Sequence, residues 1–201
     1  MRTIAVSAAL AAAIALTHPA WAIEFNPLSY VKGAVEAAVE DRSAEDIATD
    51  TKIKAKMIAA IGDQMGTDVV SINVDVYEQD MMLTGVVETV AQEAQVGRIA
   101  KTIEGVKQVY NEVLIKTKLE ENKGTVENFV DDTVIETKIN AQLLDAKGVN
   151  VTNFRWHSVG GHVFLFGRAL SKAELDKAVR VVKDIENVTQ VTERVNIRPK
   201  K

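Results

Sequence analysis

The chain repeats itself. One stretch reads Leu83-Thr84-Gly85, a helix-like run, then Ile103-Glu104-Gly105-Val106-Lys107-Gln108-Val109 leading to Val113 and Ile115. Another reads Leu165-Phe166-Gly167, a similar run, then Ile185-Glu186-Asn187-Val188-Thr189-Gln190-Val191 leading to Val195 and Ile197. Gly85 and Gly167, Ile103 and Ile185, and Ile115 and Ile197 are each 82 residues apart, with no gap between the matches. A duplication of that length constrains the fold more than any other feature, because each copy must be the same folding unit. A copy of roughly 70 residues is enough for a small independent domain.

Hydrophobic periodicity supplies the elements. In the first copy a helix is expected from about Ile47, capped by Thr49 or Asp50, with Ile53, Met57, Ala60 and Ile61 inward and Gly62 and Gly66 at its end. Ile72, Val74 and Val76 alternate with polar residues as in a half-buried strand, and a tight turn at Glu78-Gln79 leads to Met81 and Leu83. A second helix follows from about Thr89 to Ile103, and a last strand carries Val106, Val109, Val113 and Ile115. The second copy repeats this order. Asp131, Asp132 or Thr133 caps its first helix, and Phe154 and Trp156 take core positions. Gly160-Gly161 makes the hairpin turn, and Ser171 with Glu174 forms a capping box. The fold class is therefore α+β: two tandem αββαβ domains, each a three-stranded mixed sheet with two helices on one face. The expected boundaries are 1–22 for a signal peptide, 23–46 for a linker helix with Val31, Val35 and Val39 in its stripe, 47–118 for the first domain, 119–127 for a polar linker and 128–198 for the second domain.

Two helices on one face leave the other sheet face open. In the first domain that face collects Asp75, Tyr77, Asp80, Met82, Tyr110, Glu112 and Leu114; in the second it collects Arg155, His157, His162, Phe164, Phe166, Arg194 and Arg198. One is apolar and acidic, the other aromatic and basic. Patches of this kind mark interfaces. The simplest partner for each is the other, which makes Asp75, Tyr77, Met82, Tyr110, Leu114, Arg155, Phe164, Phe166 and Arg194 the expected interdomain interface; the alternative is an outside partner.

Arg2, the apolar run Ile4 to Leu16 and Ala20-Trp21-Ala22 form a secretory signal with cleavage expected after Ala22, so the expected location is the periplasm, as a soluble exported protein with no transmembrane segment. With 24 basic and 28 acidic residues and a net charge of −4, the chain is a poor generic ligand for nucleic acid. It has no cysteine, hence no disulfide, thiolate metal site or thiol nucleophile. His157 and His162 flank the Gly160-Gly161 turn and would need a third ligand, such as Asp75 or Asp80, to hold a metal. No nucleophile elbow or phosphate-cradling loop occurs. The expectation is no catalytic residue, no metal, no cofactor and no enzymatic activity. Lys172, Lys177, Arg180 and Lys183 cluster on the last helix, interrupted by Asp176 and Asp184: either a solvated face or a patch for anionic lipid.

The strand ending Met81-Met82-Leu83-Thr84-Gly85 followed by Gly105-Val106-Lys107-Gln108-Val109-Tyr110-Asn111 resembles the BON domain. The second copy, Val163-Phe164-Leu165-Phe166-Gly167 and Asn187-Val188-Thr189-Gln190-Val191-Thr192-Glu193, departs from it by Asn187 for the motif glycine and Glu193 for the asparagine. A signal peptide before two such units is similar to the dual-BON envelope proteins of the OsmY and DolP types. The resemblance implies an αββαβ fold, no catalysis, and an envelope role commonly described as phospholipid binding. In some members a helix of the second domain meets anionic lipid; the matching helix here offers Val134, Ile135 and Lys138 among Asp131, Asp132 and Glu136, which makes those three, with Lys172, Lys177 and Arg180, the lipid-binding candidates. Gly85, Gly105 and Gly167 are expected to be structural, with Gly85 and Gly167 closing the second strand where the chain turns into its helix. The function expected is envelope maintenance under osmotic or other stress by weak contact with anionic phospholipid or exported proteins. A chaperone-like holdase for unfolded clients and an assembly module of an envelope complex are the alternatives.

Overall fold

The computed structural model describes residues 41–66, 71–123 and 131–199. The expected signal peptide and the stripe of Val31, Val35 and Val39 lie outside these residues. The first domain runs α1 (Ala44–Met65), β1 (Ser71–Tyr77), β2 (Asp80–Val87), α2 (Val90–Thr102), β3 (Gln108–Asn111) and β4 (Leu114–Ile115); α3 (Lys116–Lys123) follows. The second runs α4 (Asp132–Asp145), β5 (Phe154–Val159), β6 (His162–Ala169), α5 (Lys172–Lys183) and β7 (Gln190–Ile197). The αββαβ order is the expected one, twice.

In each sheet the second strand is central. It pairs antiparallel with the first through the hairpin and parallel with the last through the helical crossover, so both sheets are mixed. The last strand of the first domain is broken between Asn111 and Leu114, whereas β7 is continuous. Period-two alternation sends Met81, Leu83 and Val87 of β2 toward α1 and α2, where they pack with Ile53, Met57, Val96 and Ile99. Val163, Leu165 and Ala169 of β6 pack likewise with Ile135, Ile139, Leu143, Leu175 and Val182. The opposite faces of β2 and β6 are buried too, so both strands are covered on either side.

Several local expectations are corrected. The first helix starts at Ala44 because Ser43 caps it, its hydroxyl accepting from Asp46 N–H at 3.0 Å. Asp50 is therefore inside the helix and nearly buried. Its carboxylate accepts from Glu78 N–H (2.7 Å) and Gln79 N–H (2.8 Å) and pairs with Arg42 at 2.5 Å. Glu78 and Gln79 both have positive φ, as the hairpin turn requires, and the carboxylate offsets the cost of placing non-glycine residues there. In the second domain Asp131 is the cap, accepting from Thr133 N–H at 2.9 Å, and Asp132 holds the turn through Gly160 N–H (2.7 Å) and Gly161 N–H (3.0 Å). Gly62 lies inside α1, which ends at Gly66. Ser171 caps α5, but Glu174 does not return to it. Glu174 instead accepts from Asn150 N–H (2.7 Å) and Leu170 N–H (2.6 Å). The reciprocal capping box is found on α2, between Thr89 and Gln92. The polar linker begins as helix α3, whose Leu119 leans on an apolar cluster beneath it.

Gly85 and Gly167 do not end their strands; they sit within β2 and β6. The reason for glycine is a close approach: a Cβ would lie 2.1 Å from the Ser71 carbonyl oxygen at Gly85 and 2.2 Å from that of Asn153 at Gly167, with φ of +111° and +115°. Gly105 has φ of +93°, and Asn187 takes the same left-handed conformation at +72°, which asparagine tolerates. Replacing Gly85 with Ala is expected to destabilise the first domain by at least about 3 kcal/mol, since strain and backbone overlap add. Gly62→Ala, in an open helical position, is expected to stabilise it by about 0.5–1 kcal/mol. Urea unfolding of the two variants checks both signs.

Candidate functional site

The two sheets meet on their helix-free faces. Tyr77 and Met82 from the first domain and Val159, Phe164 and Phe166 from the second form one buried cluster, with Val86, Tyr110, Leu114 and Leu119 around it. Tyr110 meets Phe166 edge-on at 6.2 Å between ring centres, and His162 stacks on Phe164 at 4.1 Å. Fully burying each of the larger side chains contributes about 1.5–3 kcal/mol. Alternation explains which residues arrive: Met82 with Val86 on β2, and Phe164 with Phe166 on β6, are the outward set once Leu83 and Leu165 face the helices.

Charges surround this apolar seam with a consistent sense. Glu112 of the first domain accepts from Arg194 Nε at 2.7 Å. Glu78 accepts from Arg168 at 2.8 Å and pairs with Arg198. Asp80 accepts from Asn196 at 2.7 Å and lies 3.7 Å from Arg198. Asp75 lies 2.9 Å from His157. The acids come from the first domain and the bases from the second, and this sets how one sheet registers on the other. The pairs are not equal in weight. Arg194 and Arg198 keep 41% and 44% of their side chains exposed, so water screens them. Arg168 and Glu78 keep 10% and 13%, and removing either would leave the other charged and buried. Arginines also face the rings: Arg155 lies 5.5 Å from the Tyr77 ring centre and Arg194 5.7 Å from that of Tyr110.

His157 occupies the most polar corner of the seam. Its Nε2 meets Asp75 and its Nδ1 lies 3.5 Å from Glu136, while Lys54 lies 3.7 Å from the other Asp75 oxygen. Burial by itself lowers the pKa of His157. The charge of Asp75 and its hydrogen bond, then Glu136, outweigh burial and push it up to about 10. Burial raises the Asp75 carboxyl, but His157, Lys54 and Arg155 hold it well below the usual carboxylate range. Asp80 is raised by burial against its contacts with Asn196 and Arg198. Burial lowers His162, whose Nε2 is 2.8 Å from the Thr192 hydroxyl.

The two histidines thus face different partners, and no cluster of three or more metal-ligating side chains occurs among the described residues. Arg168, Asn196 and Val86 complete the seam but were not singled out from the sequence. Arg168 and Asn196 lie two residues beyond Phe166 and Arg194, and Val86 lies four beyond Met82, so the alternation that found those three reaches them too when extended.

The lipid-binding candidates scatter. Ile135 is fully buried in the second core, because the inward stripe of α4 passes through it, and is corrected from a lipid contact to a core residue. Val134, beside it, is 44% exposed, and Leu144 near the end of the same helix is 67% exposed. Lys138 pairs with Glu186 at 3.1 Å, Lys172 with Asp176, and Lys177 donates to the Lys147 carbonyl. Arg180 is exposed on α5. Among the described residues no helix is long and apolar enough to cross a membrane.

Two αββαβ units joined face to face by an apolar seam, with their helices outward, define a tandem two-domain module of duplicated origin. The chain belongs to the BON domain family, which it matches over residues 49–117 and 131–199. Among curated proteins it is similar to an uncharacterized protein in the gshII 5′ region of Anaplasma centrale, 30% identical over 65% of this chain and 84% of the relative. It is similar to osmotically-inducible protein Y of Escherichia coli (strain K12), 29% identical over 71% of this chain and 69% of the relative. It is also similar to a 21 kDa hemolysin of Actinobacillus pleuropneumoniae, 26% identical over 80% of this chain and 73% of the relative.

The seam has a pH signature. A histidine whose pKa rises from 6.5 to about 10 on folding contributes stability that is fully present below about pH 6.5 and lost as pH climbs to 10. Asp75, depressed from 3.8, contributes stability present above that value and lost as pH falls below it. Urea-unfolding stability is therefore expected to decline from pH 6.5 toward 10, and His157→Gln is expected to flatten that decline relative to the unsubstituted chain.

Proposed function

We propose that this protein is a non-catalytic, exported envelope protein that acts under osmotic or related stress by weak, reversible contact with anionic phospholipid. The carrying observation is the seam. Because each sheet spends its free face on the other, the helices are the outward surface left for a partner. On the second domain the outward helices carry the exposed apolar Val134 and Leu144 on α4 and the cations Lys172, Lys177, Arg180 and Lys183 on α5, which packs against it. Exposed apolar side chains and cations are the two features an anionic bilayer surface recognises. The name of the osmotically inducible relative supports the stress role, and residues 1–22 read as a signal for export to the periplasm. A holdase using open sheet faces is less well supported, because the aromatic residues it would need are buried in the seam.

Flotation of the chain from Ile23 with liposomes tests this reading. Binding is expected with anionic vesicles and not with neutral ones, and it is expected to weaken as salt rises. Charge reversal at Lys172, Lys177 and Arg180 together should abolish it, and Val134→Asp should weaken it. Absence of flotation at low salt would sink the lipid reading and move the weight to a protein client.

A further inference from the structure

The residues that enter the first domain are bonded to the second. Asp41 and Arg42 precede α1, yet consecutive side chains reach in opposite directions. The Asp41 carboxylate accepts from Asn150 Nδ2 at 2.8 Å and from Asn153 Nδ2 at 3.1 Å, and its backbone N–H donates to Asn153 Oδ1 at 3.2 Å. Its carbonyl accepts from Arg168 Nη2 at 3.4 Å. Arg42 turns to the first domain, pairing with Asp50 and lying 4.1 Å over the Tyr77 ring.

Asn153 is the centre of this arrangement. It is fully buried, and its side-chain oxygen also accepts from the Tyr77 hydroxyl at 3.0 Å. Its amide is therefore satisfied by two groups, Asp41 and Tyr77, neither of which belongs to its own domain. Leaving part of a buried amide unpaired is costly, so Asn153, already bonded to Tyr77, favours the closed pair more strongly while Asp41 is in place. The position is held from behind by the close approach of Gly167 to the Asn153 carbonyl. The corresponding residue of the first copy, 82 positions earlier, is Ser71, which is exposed. The repeat has thus diverged at the point where the incoming segment docks.

We infer that Asp41 and Arg42 form a clasp that strengthens the face-to-face closure of the two BON domains, so that displacing Asp41 and Arg42 shifts the pair toward an open form that uncovers Tyr110, Phe164 and Phe166. The clasp joins three bodies: the incoming segment, the first domain through Asp50 and Tyr77, and the second through Asn150, Asn153 and Arg168. Arg168 also bonds Glu78 of the first-domain hairpin, so the clasp and the ion pairs around the seam share a residue.

The absence of cysteine makes the test clean. Spin labels at Lys101→Cys and Lys183→Cys, both exposed and one in each domain, report the interdomain distance in the whole chain. Asp41→Ala is expected to shift the closed-to-open ratio by roughly tenfold or more toward longer distances. Asn150→Ala is expected to move it the same way by less. Amide protection at Leu83 and Leu165, in the two domain cores, should persist in both variants. An unchanged distance distribution overturns the clasp. So does a distance change that appears only together with lost protection in both cores, because that would make Asp41 a contributor to domain folding and not to closure.

Discussion

The burial of both faces of β2 and β6 is the constraint on which the rest depends. A three-stranded sheet covered by two helices on one side would expose Tyr77, Met82, Phe164 and Phe166 on the other. Exposed apolar patches of this kind mark interfaces. Packing one sheet on the other removes the patch from both domains at once, and the opposed charges at Glu78, Asp80 and Glu112 against Arg168, Arg194 and Arg198 set the register of the contact. Apolar burial supplies most of the driving force, while the ion pairs, several of them half-exposed, contribute direction more than strength.

Duplication followed by local divergence runs through the structure. Both hairpins turn through two residues of positive φ, and both are held by a carboxylate from the preceding helix. In the second domain glycines make the turn and Asp132 holds it. In the first, Glu78 and Gln79 make it and Asp50, one helical turn further along its own helix, holds it through both backbone N–H groups. The first copy accepts backbone strain there and gains Glu78, which the seam then uses to bind Arg168 and Arg198. A glycine at that position would make an easier turn but would carry no charge to its partner domain. At Asn187 the exchange for glycine is tolerated because asparagine adopts the left-handed conformation, and at the matching Gly105 a Cβ would meet only the Ile53 side chain, not backbone as at Gly85 and Gly167.

Much of this was legible beforehand. The repeat, the αββαβ order, the Glu78-Gln79 and Gly160-Gly161 turns and the membership of the two helix-covered cores follow from periodicity, since burying a stripe of a helix or one face of a strand leaves a pattern in the chain. Other features were not. Asp50 reads as a helix cap, because a cap and a buried acid that reaches a distant turn look alike in one dimension. Glu174 reads as half of a capping box for the same reason. Ile135 reads as part of a surface helix face until the helix is rotated onto its core by Ile139 and Leu143.

The sequence by itself determined that there are two similar domains, which elements each contains, and which side chains stand away from the helices. These are properties of local periodicity and of a constant spacing, and they need no knowledge of distant contacts. Only the tertiary structure decided that Asp75 would meet His157, that Arg168 would reach Glu78, and that Asp41 would leave the start of one domain to bond Asn150 and Asn153 in the other. Those contacts join residues about 80 to 110 positions apart, and they exist because apolar burial holds the two sheets together. The polar partners are the groups that this packing leaves facing each other.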